Sequence, residues 1–165
     1  MNNPNPYQAP EATLQATSEE DDGLASRASR FWAVIIDALI GMVIAVPVFL
    51  YFDLLSFVMS GREPPLGLLL GSTAAGLVGF LLVHGWLLHT SAQTVGKRLL
   101  GIRIVDLEGR NASLAQIFFM RHLPVTLVSL IPAGGFIVLI DALLIFKKDR
   151  RCLHDIVAGT RVVKA

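Results

Sequence analysis

A chain of 165 residues that is 53% hydrophobic and only 16% charged carries more apolar side chains than a water-soluble core of that size can hide. It has room for one domain. The lone Cys152 excludes an intrachain disulfide, and no Cys/His spacing resembles a zinc site. The near-neutral net charge of +1 gives no reason to expect a nucleic-acid partner.

In chain order, residues 1–24 combine Pro, Asn and Gln with the acidic run Glu19, Glu20, Asp21, Asp22 and read as a disordered tail. There is no apolar core of a cleavable signal peptide in it. Residues 25–165 then form the expected transmembrane domain. Phe31 to Phe52 is an apolar run broken by one charge, Asp37, with Pro47 placed to kink its far end. Residues 53–65 read as a short connection ending at Pro64 and Pro65. Leu66 to His89 holds no Lys, Arg, Asp or Glu. Both runs meet the roughly 20 residues that a membrane crossing needs. Gly67, Gly71, Ala75 and Gly79 recur every fourth residue along the second run. Such a stripe serves close packing within the chain or a homo-oligomer through the Gly67–Gly79 face.

The segment 99–106 is rich in Leu, Ile and Val, "LEGR" at 107–110 is a turn signal, and "GTRVVKA" closes the chain as another short strand. A pair this small is marginal alone, so it is expected against the helix ends. "SAQTVGKR" has Ser91 and Arg98 where a phosphate-binding loop needs Gly and Ser or Thr, so it is discarded. The sequon "NAS" at 111–113 falls on a segment expected to be cytoplasmic.

Residues 114–146 are apolar and too long for one ordinary span. They cross once or twice, and charge favours twice. With Arg27 and Arg30 inside, a single further crossing would put Lys147, Lys148, Arg150, Arg151, Arg161 and Lys164 outside, against the positive-inside tendency. Two crossings joined by "PAGG" at 132–135 keep both termini cytoplasmic. The expectation is an all-α membrane protein of four hydrophobic helices, the last two a short, tilted or partly re-entrant hairpin, with a small cytoplasmic β-element.

On that topology Asp37 lies about six residues, or roughly 10 Å, inside the first helix, and Asp141, Arg121 with His122, and His84 fall at a similar depth on the other three. Asp37 and Asp141 sit in near-copies, "VIIDALI" and "VLIDALL". Two carboxylates in low dielectric require cations or protons beside them, and Arg30 and Arg121 are at hand. The candidate cluster is therefore Arg30, Asp37, Arg121 and Asp141. Either it is an Asp–Arg–Asp lock that sets helix register, or it is a site for a proton or small cation. Carboxylates touching Arg121 or Arg30 would favour the lock, and carboxylates flanking an open cavity the ion site. No enzyme activity is expected: His154 and Asp155 in "RCLHDIVAGT" diverge by about 100° on a helix, and no nucleophile accompanies them. They read instead as anchors of the C-terminal segment. No cofactor and no metal is expected.

Four ordered motifs, "RFWAVIID", "QTVGKRLLGIRIVD", "LIDALLIF" and "LHDIVAGTRVV", resemble those of the RDD family of small bacterial membrane proteins. The resemblance runs from about residue 24 to 164 and implies a multi-pass protein of the bacterial inner membrane. Its namesake arginine and two aspartates then fall on Arg30, Asp37 and Asp141. It further implies a conjectured role in transport, with sodium/proton antiport suggested for some members. The family picture of three spans conflicts with the even count read from the charges. "NPYQAP" at 5–10 also resembles a leader found on some bacterial membrane proteins. The alternative to transport is a scaffold or partner subunit whose charged cluster is purely structural.

Overall fold

The computed structural model describes residues 23–131, 133–147 and 149–165. The acidic run, "NPYQAP" and nearly all of the expected tail lie outside them. Gly23 and Leu24, the last two tail residues, instead line the sheet: Gly23 O accepts from Lys164 N at 2.9 Å, and Leu24 bridges Val163. The open edge of a two-stranded ribbon offers unpaired backbone groups, and this segment takes them.

Ser26 starts helix α1 (Arg27–Tyr51), its hydroxyl accepting from Ser29 N at 3.0 Å. The helix continues past Pro47 for another turn. The expected plain connection contains a helix of its own, α2 (Leu54–Ser60), whose Leu, Phe, Val and Met residues suit a helix lying beside apolar surroundings. Helix α3 (Leu66–Ser91) follows Pro65 at its N-cap. Both α1 and α3 are long and apolar enough to cross a membrane, and only 6% of each apolar stretch is covered by the rest of the protein. A core helix of a soluble domain would be mostly covered. Leu82 and Trp86, 80% and 71% exposed, face outward and need an apolar medium.

Part of the small-residue stripe is used inside the chain. A Cβ on Gly79 would run into Ile44 of α1, and one on Gly71 would lie 3.1 Å from the Phe52 ring. Gly67 and Gly76 have open space instead.

After α3 come the short helix α4 (Val95–Leu99), strand β1 (Ile102–Asp106) and, from the chain end, antiparallel strand β2 (Thr160–Lys164), with Ile104 opposite Val162. Ala25, Ala33, Leu88, Ile102, Ile104, Ile117 and Val162 form one buried core. That core ties the start of α1 and the end of α3 to the sheet, so the strands do lie against helix ends.

Residues 116–131 and 133–146 make a hairpin. A π-helical turn (Gln116–His122) leads into α5 (Leu123–Ser129), and α6 (Gly134–Leu143) ends in a 3-10 turn (Leu144–Phe146). Pro124 has no N–H to donate to Met120, which removes one α-type bond where the wider turn gives way to α5. Of the four spanning helices expected, two have full length among the described residues. Each hairpin arm covers only roughly 20 Å, short of the ~30 Å hydrocarbon core. Left-handed Ala133 turns the chain between the two arms, within the joint expected at 132–135. Last, α7 (Leu153–Val157) leads into β2.

Candidate functional site

Three carboxylates organise the end of the bundle where the sheet sits. The first is Asp155, fully buried in the first turn of α7. Its Oδ2 accepts from Arg30 Nη2 at 2.5 Å and from Cys152 N at 3.2 Å, and its Oδ1 accepts from Arg121 Nη1. Arg30 also donates to Arg150 O, and Arg121 to Thr160 Oγ1 at 3.3 Å. Burial pushes the Asp155 carboxyl up, but Arg121, His154 and Arg30 outweigh it and hold it at about 2. The carboxylate is therefore charged at neutral pH, clamped between two guanidiniums from different elements.

The second is Asp37. Thr94 Oγ1 donates to its Oδ2 at 2.5 Å and Gly96 N to its Oδ1 at 2.7 Å, so the α1 carboxylate caps α4. Negative charge at a helix N-terminus is favourable, and here it docks α4 onto α1. Gly96 permits the approach, since a Cβ there would lie 2.9 Å from Asp37 Oδ1. Lys97 Nζ stands 3.8 Å from Asp37 Oδ2. His84 Nδ1 accepts from Val95 N at 3.3 Å, which puts the ring proton on Nε2.

The third is Asp141 on α6. His154 N donates to its Oδ1 at 2.9 Å, and His154 Nδ1 lies 2.5 Å from Oδ2. His154 and Asp155 thus diverge as helix geometry requires, one to the hairpin and one to the arginines. Both anchor the C-terminal segment, and they do so inside the charged cluster.

The four residues singled out from sequence are distributed over these centres. Arg30 and Arg121 share Asp155, with no ion pair to Asp37 or Asp141 among the described residues. Asp37, Asp141 and Arg121 line one cavity of about 470 Å³, which Lys97, His84, His122 and His154 also line. Its other wall is apolar, with Val34, Ile44, Phe80 and Val125. The His122 ring stacks on Phe80 with centroids 3.7 Å apart. Sequence reasoning passed over Asp155 as a partner of the arginines. Its signal was a Cys152-x-x-Asp155 box, in which the Asp155 carboxylate caps the backbone N–H of Cys152.

Cys152, His154 and Asp155 hold ligand atoms within 4.8 Å of one another. Two guanidiniums already occupy both Asp155 oxygens, and burial pushes the Cys152 thiol up to about 11. A thiol that keeps its proton beside two fixed cations is a poor metal ligand.

Comparison with known proteins adds one decisive observation: the RDD family profile matches residues 24–159. The chain belongs to the RDD family. The uncharacterized protein YckC of Bacillus subtilis is 31% identical to it over 136 residues, covering 82% of this chain and 83% of the relative. An uncharacterized protein of Haemophilus influenzae is 32% identical over 116 residues, covering 67% and 69%. No solved structure matches. Family membership and the two apolar helices together mark this RDD chain as a membrane protein. Of the positions that the family resemblance singles out, Asp37 and Asp141 open onto the cavity, while Arg30 lies behind it on Asp155.

Proposed function

We propose that this RDD chain is a multi-pass protein of the bacterial inner membrane that binds and moves a proton or small cation at the cavity between Asp37 and Asp141. The observation that carries this reading is that both carboxylates, from α1 and α6, flank a cavity shared with Lys97 and three histidines. Ionisable groups placed inside a membrane bundle commonly mark ion paths. Positive charge at Arg98, Arg103, Arg151 and Arg161 favours a cytoplasmic sheet and C-terminus, with the 53–65 connection outside. Pairing of β1 with β2 supports a re-entrant hairpin that enters and leaves on that same side. Reporter fusions at Arg62 and after Ala165 should therefore report opposite sides of the membrane; the same side at both would refute the topology.

Two long helices and a short hairpin supply few helices to surround an alternating-access pathway, so transport calls for a homo-oligomer. The open side of Gly67 and Gly76 is one place where a second copy fits. The competing reading, a static scaffold, draws on Asp155, whose charge is fully matched by Arg30 and Arg121. The two separate on one experiment. Asp37→Asn and Asp141→Asn, at unchanged membrane abundance, should each abolish cation-dependent proton flux in inverted membrane vesicles. Flux retained by both variants would leave only the scaffold.

A further inference from the structure

We infer that the proton exchanged at this cavity is carried by Lys97, whose ammonium and a monovalent cation alternate beside Asp37. This rests on the transport reading above and names the group that couples proton to cation.

The three carboxylates are not equally available. Asp155 is held by guanidiniums, which do not release protons. Asp141 engages His154 through both of its oxygens. Asp37 alone is paired with a lysine, and at 3.8 Å the ammonium is beyond hydrogen-bond distance, on a flexible four-carbon stem. The Lys97 side chain is only 11% exposed and lines the cavity, and among the described residues Asp37 is its only ion-pair partner.

The charged and titratable groups that face Lys97 are Asp37 and Arg30 from α1, His84 from α3, Arg121 from the π-helical turn and Asp155 from α7. With Asp141 included, Arg30, Lys97 and Arg121 balance Asp37, Asp141 and Asp155 one for one while the histidines are neutral. Loss of the Lys97 proton leaves one uncompensated negative charge in a poorly solvated site. A single monovalent cation restores neutrality, whereas a divalent ion would overshoot it. The step balances simply: one N–H bond of the ammonium breaks, the proton leaves to water, the amine stays neutral, and one cation settles beside the Asp37 carboxylate. No electron moves. Burial and the neighbouring Arg121 charge lower the Lys97 ammonium to about 8 against the opposing pull of Asp37, so both forms are accessible near neutral pH.

The test uses the full chain purified and reconstituted in phosphatidylethanolamine/phosphatidylglycerol vesicles with an internal pH dye, Na⁺ and K⁺ being the probes. In the wild-type protein the half-saturating cation concentration should fall about tenfold per pH unit up to about pH 8 and level off above it, because each cation displaces one proton. Lys97→Gln should take up radioactive sodium with no proton release and a flat pH profile. Lys97→Arg, which keeps the charge, should reach the membrane at normal abundance and exchange nothing. A readout that needs no variant is thermal unfolding of the wild-type protein in detergent, where Na⁺ should raise the midpoint at about pH 9 and not at about pH 6. Wild-type proton release with an unchanged pH slope in Lys97→Gln, or an equal Na⁺ shift at both pH values, overturns the role of Lys97 alone. No cation-dependent proton release from wild-type protein at any pH overturns the transport reading with it.

Discussion

Replacing Asp155 by Asn should destabilise the protein by about 3–5 kcal/mol, the usual consequence of removing one partner from a buried charge cluster. Asn keeps the shape of Asp but cannot neutralise Arg30 and Arg121, and both guanidiniums would remain buried without an adjacent anion. The connection from α1 through α7 to the hairpin would open. Thermal unfolding in detergent and the amount of protein in the membrane both report it, and an Asn variant as stable as wild type at neutral pH would refute the assignment. The same carboxylate gives the protein an acid limit. Its folded value is depressed from 3.8 to about 2, so the ionised form favours the folded state. The stabilisation is fully present above about pH 4 and is lost as the pH falls toward about 2, amounting to roughly 2 kcal/mol. The Asn variant should lack that contribution at every pH.

Gly96→Ala should be the next most damaging change, at about 2–4 kcal/mol. The new methyl group would run into Ala33 O and lie 3.0 Å from Asp37 Cγ. Moving α4 away to relieve that overlap breaks the Gly96 N–H bond to Asp37 and shifts Thr94 and Lys97 with it. Gly135→Ala, where a Cβ meets nothing within 4 Å, is the matched control and should be close to neutral. Equal unfolding midpoints for the two variants would show that the α1–α4 seat does not depend on this close approach.

Much of the architecture is legible in the residue order because it depends on local composition. The charge-free run from Leu66 becomes α3 almost residue for residue, and the apolar run from Phe31 lies inside α1, extended at its start by the Ser26 cap. The closing strand emerges at Thr160–Lys164, while Leu99, expected in the other strand, ends α4 instead. The hairpin was the hard part. Its joint is legible in "PAGG" at 132–135, where left-handed Ala133 turns the chain, but its length in residues allows one crossing or two and does not give the depth that each short arm reaches.

The site divides in the same way. Arg30, Asp37, Arg121 and Asp141 stood out because a charge among apolar neighbours is expensive and therefore conspicuous. Asp155 did not, because its neighbours in sequence, Arg150, Arg151 and His154, make a charge there look ordinary. Its burial comes from Arg30, 125 residues away, and Arg121, 34 residues away. Composition and periodicity by themselves determined that the chain seeks a membrane, where its long helices run, and that ionisable groups gather near one end of them. Only the tertiary structure decided which acid meets which base. Pairing depends on angstrom-scale positions around the helix axes, set by α4 seating on α1 and α7 folding back onto the hairpin, whereas sequence spacing measures position along each axis alone.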